Sequence, residues 1–453
     1  MSVPQRYRDG MTGGANPDEV VTVQALANGG EGVGRLADGR AVFVPGVLPG
    51  ETARVELTGL KARYARATLI ELLVASPDRV VPPCTWQQAG CGGCDLMHLR
   101  TDAQHRAKVQ LAREALQRLG RLVDPEVHAG PVLPSVAVRT TVRVAVQHGR
   151  AAFRRRAGHE LIEVGDCQVA HPALAALIAE GRFGSAREAT LRVGAATGER
   201  LVVLDHGDGG PHPGGRGDTG TRRAARRGTP RRSVSRTRGV ELPDDVLVVD
   251  AAELGPGSAG LGTSGGSGVG PAIHEVIAGR RWRISAGSFF QTSAVGAEAL
   301  VAAVAAAARP PAGSPSARRV LDAYSGVGLL TAAIGPDAAV VSVESNPSSV
   351  ADALVNLADR HAEVVQARFE RWRPTTVDLA VADPARRGLG RVAAEILAAT
   401  DAPVIVLVSC DLAALGRDSG DLVALGYDHA GSTVLDLFPH TSHAEVVTRF
   451  ERR

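Results

Sequence analysis

From Arg318 to the end of the chain, short apolar segments alternate with helix-like stretches: RRVLDAY, AVVSVES, EVVQAR, VDLAVADP and PVIVLVSC, then two late strand candidates around STVLDL and AEVVTRF. This alternation constrains the fold most, because strands that read as continuous apolar runs and are joined through helices pair in parallel and need cover on both faces. The predicted architecture is α/β, a doubly wound Rossmann-like sheet. Ligands of such sheets bind beyond the carboxyl ends of the strands. The positions to watch are therefore Asp322 to Gly328, Glu344, Asp383 and Cys410.

Strand VLDAY runs into Ser325-Gly326-Val327-Gly328 and a helix-like LLTAAIG. Two glycines let the backbone turn tightly and approach a ligand. The next strand ends in Glu344, an acidic residue placed to accept both hydroxyls of a ribose. With no third glycine to cradle a pyrophosphate, the pattern Asp322-x-x-x-Gly326-x-Gly328 suits S-adenosylmethionine better than a nicotinamide dinucleotide. Asp383-Pro384 closes the fourth strand and sets a carboxylate beside cofactor and reacting base. Cys410 closes the fifth, and Asp411 after it can cap a helix, a setting that favours thiolate. The stretch Asp436-Leu-Phe-Pro-His-Thr-Ser-His-Ala-Glu445 adds two histidines and a carboxylate at a loop-to-strand junction.

The first half of the 453 residues reads differently. Residues 1–16 are polar and Gly-rich, a flexible tail. Over 17–76, short alternating segments separated by Gly-rich turns have the pattern of a small antiparallel barrel. Residues 77–205 hold a cysteine-rich loop, a helix predicted at Thr101–Leu119 and an α+β unit. Residues 206–270, apart from a possible strand VLVV at 246–249, are Gly- and Arg-rich, too poor in apolar side chains to fold, and are expected to be a disordered insertion able to make non-specific phosphate contacts. Residues 271–453 form the sheet domain.

Five cysteines divide unevenly: Cys84, Cys91 and Cys94 crowd together, Cys167 lies in the α+β unit and Cys410 stands apart. Such clustering in a large chain points to metal or catalytic use, and four thiolates suit zinc or an iron–sulfur cluster equally. No apolar run approaches a membrane span and no secretory signal opens the sequence, so the expectation is a cytoplasmic protein with no membrane contact. The net charge of +3 conceals a bias: 49 of the 51 basic residues are arginine, Lys61 and Lys108 being the exceptions.

Taken in order, several segments resemble the bacterial RNA uracil-C5 methyltransferases, the tRNA and 23S rRNA 5-methyluridine enzymes with an N-terminal TRAM domain. They are the barrel-like start, Cys84-x6-Cys91-Gly-Gly-Cys94, Val164-Gly-Asp-Cys167, Ser288-Phe-Phe-Gln291-Thr, Asp322-Ala-Tyr-Ser-Gly-Val-Gly328, Asp383-Pro-Ala-Arg-Arg-Gly388, Val408-Ser-Cys410 and the Asp436–Glu445 stretch. The resemblance implies a class I S-adenosylmethionine-dependent methyltransferase domain behind an OB-like TRAM barrel and a central domain with a four-cysteine site. It implies a cofactor site lined by Gln291, Tyr324, Gly326, Gly328, Glu344 and Asp383, Cys410 as nucleophile, and Glu445 as base. It favours a [4Fe-4S] cluster on Cys84, Cys91, Cys94 and Cys167 over zinc. The RNA would be 23S rRNA before tRNA, with no obligatory protein partner.

Departures from the family pattern are Leu329 beside the cofactor, Arg368 near the adenine, Asp411-Leu412 after the nucleophile, and the Arg-rich insertion. One rival reading is an RNA cytosine-C5 methyltransferase, whose second cysteine the Asp383-Pro-Ala sequence lacks. Another is a catalytically silent RNA-binding protein, against which the retention of Cys410 and Glu445 argues.

Overall fold

The computed structural model describes residues 18–156, 158–207, 239–254, 270–310, 315–335 and 337–453. The expected tail at 1–16 and most of the Gly/Arg-rich segment lie outside them; the expectation that 206–270 is disordered throughout is corrected at Val246–Asp250, a strand whose apolar run VLVV pairs with Arg200–Asp205 and buries Val246 and Val249.

The first five strands, Glu19–Leu26, Gly32–Arg35, Ala41–Val44, Thr52–Leu60 and Tyr64–Val74, close into a barrel in the order first, second, third, fifth, fourth. Their alternating pattern sends Val21, Val23, Val42, Val44, Ala53, Val55, Ala65 and Ala67 inward as a dry core. The expected antiparallel pairing fails at one seam: Ala41–Val44 runs parallel to Tyr64–Val74. Alternating directions around an odd number of strands must leave one parallel pair.

A six-stranded sheet follows, in the order Val246–Asp250, Arg200–Asp205, Glu188–Val193, Thr141–Gln147, Arg150–Arg154, Leu161–Glu163. The helix Pro172–Glu180 buries Leu174, Leu177 and Ile178 in the same core. A hairpin, Ala272–Ile277 with Arg280–Ser285, leads into the helix Ala294–Ala307.

The eight-stranded sheet is mostly parallel and doubly wound. Its order is Ala362–Gln366, Ala339–Glu344, Arg319–Ala323, Leu379–Ala382, Val404–Ser409, Glu445–Arg452, Tyr427–Leu435, Val127–Ala129. The first five run parallel and Glu445–Arg452 is antiparallel to both neighbours. Every residue of Leu379–Ala382 and Val404–Ser409 is buried, as strands covered on both faces require. The last edge strand comes from the first half of the chain: Val127–Ala129 pairs in parallel with Tyr427–Leu435.

Helix Thr101–Arg118 forms where predicted and packs Leu111, Ala112 and Leu116 into a core shared with Leu48 of the barrel and Leu412, Leu415 and Val446 of the sheet domain. The helix expected at LLTAAIG is instead a short 3-10 turn, Leu330–Ala333. Gly335-Pro336 follows at once, and a proline disfavours helical backbone in the residue before it. Among the described residues no helix is long and apolar enough to cross a membrane.

Candidate active site

Three neighbouring strands bring the candidate chemistry together. Val404–Ser409 delivers Cys410, and Asp411 then caps helix Leu412–Ala424, its Oδ1 accepting from the Ala414 N–H at 2.8 Å. A cap of this kind contributes about 1 kcal/mol, so Asp411 starts the helix. Ser409 pairs with Val446 across an antiparallel ladder. One residue further along, that register sets Cys410 opposite Glu445. Leu379–Ala382 ends at Asp383, whose N–H donates to the Ala323 carbonyl at 3.2 Å.

Burial dominates the electrostatics. It pushes the Cys410 thiol up to about 12, helped by Glu445 and Asp383 and opposed by Arg386. The expectation of a thiolate at the helix N-terminus is therefore corrected: desolvation and two carboxylates outweigh the favourable dipole. Glu445 is 2% exposed and its Oε1 has no hydrogen-bond partner among the described residues. Burial, then Asp383, raises it well above the usual carboxylate range, with Arg386 opposing. Asp383 and Asp322 are each pushed up to about 7 by burial; Asp322 adds to the effect on Asp383, and Thr331 moderates Asp322 by donating to its Oδ2 at 2.6 Å. Part of Asp383 nevertheless reaches the surface.

The other predicted positions line the adjoining strand ends. Tyr324 takes a left-handed backbone, φ 60°, its hydroxyl donates to Glu370 at 3.2 Å, and its ring lies 5.2 Å from that of Phe369. Gly326 and Gly328 both have positive φ, 56° and 92°, the region that favours glycine. A side chain at 326 would meet no atom within 4 Å, so open space adjoins the turn. Glu344 stands across it, accepting from the N–H groups of Gly326 at 3.0 Å and of Ser345 and Asn346 at 2.6 Å. Gln291 is buried, and its side-chain amide has no partner within the protein among the described residues.

The segment leading to Gln291 is fastened to the helix after Glu344. The Ser285 and Ser288 hydroxyls each donate to Asp352 at 2.6 Å, Arg283 pairs with the same carboxylate at 3.1 Å, and buried Arg192 donates to the Ser285 and Ser288 carbonyls. Leu329 packs into a core with Trp282 and Ile273, and Arg368 is exposed.

The two histidines part company. His440 turns inward, its N–H donating to Gln104 Oε1 at 2.8 Å and its Nδ1 standing 3.2 Å from Gln104 Nε2; burial lowers its pKa. His443 is exposed, edge-on to Phe438. Sequence reasoning missed Glu370, Asp352, Gln104 and Lys108, and gave Arg386 no role although its charge favours the ionised forms of Cys410 and Glu445 and disfavours a protonated His443. For Lys108 a signal was present, its rarity among so many arginines.

The cysteine loop is drawn against the central sheet. Gly92 sits so close to the Arg154–Arg156 backbone that a side chain there would meet the Arg154 carbonyl at 2.9 Å, and Cys91 bridges to Arg155. All four cysteines are free thiols. Burial pushes Cys94 up to about 12, followed in effect by Cys167, Cys91 and Cys84, while Arg139 opposes. The thiols thus lie within one another's field, yet among the described residues no three or more Cys, His, Asp or Glu are gathered closely enough to hold a metal ion.

Comparison with known proteins places these residues in a wider setting. Residues 19–70 match the TRAM domain. The chain is 35% identical to a protein of Streptomyces avermitilis named an RNA methyltransferase, covering 95% of this chain and 97% of the relative. It is 30% identical to the 23S rRNA (uracil(1939)-C(5))-methyltransferase RlmD of Halomonas elongata, over 99% of this chain and 95% of that one. The RlmD of Chromohalobacter salexigens is 32% identical over 94% and 87%. In fold, the chain is similar to the tRNA (uracil-54, C5)-methyltransferase of Pyrococcus abyssi, solved with S-adenosyl-L-homocysteine: TM-score 0.65, 23% identity, 95% of this chain and 100% of that one.

Proposed function

The chain belongs to the TRAM-containing RNA uracil-C5 methyltransferases, which methylate uracil C5 with S-adenosylmethionine, and from that membership we propose that Cys410 is its nucleophile, Glu445 its base and a uridine of 23S rRNA its substrate. The observation that carries the assignment is that the strand ending before Cys410 pairs with the strand opened by Glu445, a buried carboxylate whose Oε1 has no partner among the described residues. A buried polar atom left unpaired is costly. It is rational where a substrate proton is to arrive.

Uracil C5 is a weak nucleophile. Once Cys410 has lost its proton to water, addition of its thiolate to C6 moves the double-bond electrons onto C5 and O4, giving C5 enolate character. S-adenosylmethionine, when bound, supplies the methyl on its sulfonium. Glu445 then takes the C5 proton, the C5–H electron pair restores the C5–C6 double bond, and the C6–S bond breaks with its pair returning to sulfur. The raised pKa of Glu445 makes it a strong acceptor once deprotonated. The target must leave its stack, because sulfur and methyl approach different atoms of the ring from opposite faces.

For the cofactor, the residues present fit. Glu344 faces the open turn at Gly326, the Gln291 amide is free to bind a ligand, Gly328 and Tyr324 shape the strand end, and Asp383 stands between this side and the thiol. For the four-cysteine site, we assign Cys84, Cys91, Cys94 and Cys167 to a [4Fe-4S] cluster. Support comes from the donor set, four free thiols of which Cys167, Cys91 and Cys84 add to the effect of burial on Cys94. Bound there, a cluster would join the loop to the central domain. Iron analysis of anaerobically purified protein checks this; iron-free protein holding one zinc would reject it.

The functional test is methyl transfer from labelled S-adenosylmethionine to unmodified 23S rRNA and tRNA, read by nucleoside mass spectrometry. We expect 5-methyluridine in 23S rRNA and none with Cys410→Ala. A 5-methylcytidine product, or none on any RNA, overturns the chemistry; 5-methyluridine in tRNA alone overturns only the choice of RNA.

A further inference from the structure

We propose that the helix Thr101–Arg118 positions both halves of the covalent chemistry, with Lys108 and Gln104 as the positioning residues that fix the loop ahead of Glu445. The inference rests on the roles given above to Cys410 and Glu445, and deepens them.

On one face the helix grips the loop between Leu435 and Glu445. Lys108 is wholly buried; its Nζ donates to Asp436 Oδ1 at 2.5 Å and to the Phe438 carbonyl at 2.9 Å. Gln104, also wholly buried, holds His440 through the bonds described above and donates to the Leu99 carbonyl at 2.7 Å. Just ahead of the helix, Asp95 accepts from the Ser442 N–H at 3.0 Å and hydroxyl at 2.8 Å. The loop is thus tied at 436, 438, 440 and 442. His440 keeps a left-handed backbone, φ 63°, a conformation that persists in a non-glycine residue only where the surroundings impose it.

On another face the same helix abuts the one that begins directly after Cys410. A side chain at Gly416 would lie 2.5 Å from the Ala115 carbonyl and 2.7 Å from Leu119 Cβ, and one at Gly420 would lie 3.2 Å from the Gly120 carbonyl. Backbone meets backbone here, which fixes the spacing more tightly than interdigitated side chains do. The strand ladder sets Cys410 beside Glu445, and this one helix braces from outside both the loop ahead of Glu445 and the helix that follows Cys410.

The identity of residue 108 agrees. This chain uses arginine at 49 of 51 basic positions, yet keeps lysine here. A guanidinium would bring five N–H donors and more volume to a closed site offering two acceptors. A compact ammonium fits.

Proton removal from C5 is the step most sensitive to this brace, since a loosened loop would leave Cys410 able to add and the methyl able to transfer while the adduct resolves slowly. The test uses the full chain with Lys108→Met, the charge-matched Lys108→Met/Asp436→Asn, which leaves no carboxylate buried alone, and Ser442→Ala, which removes one tether only. We expect turnover to fall about tenfold to a hundredfold in the first two, the cost of misplacing a reacting group by about 1 Å. S-adenosylhomocysteine affinity and KM for RNA should stay within about twofold, and an SDS-stable RNA–protein adduct carrying the labelled methyl should accumulate. Ser442→Ala should shift the same readouts less. A folded double variant that turns over normally, or one that loses activity without accumulating adduct, overturns the proposal; if the lysine variants fail to fold, the same criteria apply to Ser442→Ala. If the wild type itself forms no adduct, the covalent reading fails, whereas failure confined to the variants falls on the positioning role alone.

Discussion

Cys94 and Cys410 are both pushed up to about 12, chiefly by burial. What stands second separates them. Around Cys94 the added repulsion comes from three other thiols, Cys167, Cys91 and Cys84, so a single bound cation would relieve all of them together. Around Cys410 it comes from Glu445 and Asp383, carboxylates that a cation would not need to bring together and that base chemistry can use. A suppressed thiol is thus not a mark of inertness. The identity of the neighbours, more than the size of the shift, separates the two proposed roles, ligand set and nucleophile.

That contrast can be broken most directly by exchanging the consequences of mutation. Cys410→Ala should lower methyl transfer by at least about 1,000-fold, the scale of losing a covalent nucleophile, and leave iron content unchanged. Glu445→Gln should lower turnover about 100-fold or more while the covalent RNA adduct builds up on denaturing gels. Below its pKa the thiolate fraction of Cys410 rises with pH, so adduct formation should quicken about tenfold per pH unit from about pH 7 to 9; a flat profile there would mean the thiol is already ionised. Cys91→Ser should abolish iron binding yet reduce methyl transfer only several-fold, a rough expectation for a site outside the reacting groups. If Cys91→Ser is as damaging as Cys410→Ala with the fold intact, the separation of the two sites is wrong.

The smallest effect concerns stability. Asp322 is raised from 3.8 to about 7 in the folded protein, so the folded state binds the extra proton and its contribution to stability is lost as pH rises from about 4 to 7. Asn cannot ionise. Asp322→Asn should therefore melt several degrees above wild type near pH 8, an approximate scale for such a shift, and close to it near pH 4, by calorimetry without cofactor.

Much of the sheet was legible because burial on both faces writes itself as unbroken apolar runs. VLDAY, VDLAVADP and PVIVLVSC could hardly be other than central strands, and strand ends then identified Asp322, Glu344, Asp383 and Cys410. Other features left no local trace. The parallel seam of the barrel follows from counting strands. The raised Cys410 thiol depends on Glu445 and Asp383, both distant in sequence. Gln104 and Lys108 look like ordinary polar positions on an amphipathic helix until Asp436 and His440, more than 300 residues away, are brought against them. Glycines at 416 and 420 read as weak points in a helix, when they are where the helix Thr101–Arg118 and the residues just after it come to rest.

The short strand Val127–Ala129 carries a consequence for how this protein can be divided. It completes the edge of a sheet otherwise built from the last third of the chain, and an uncovered edge invites pairing with other chains. A catalytic half expressed alone would expose Tyr427–Leu435 as such an edge. The barrel and the sheet domain are therefore not interchangeable modules: shuffling the barrel onto another enzyme, or the enzyme onto another barrel, has to carry the segment through residue 129 with it.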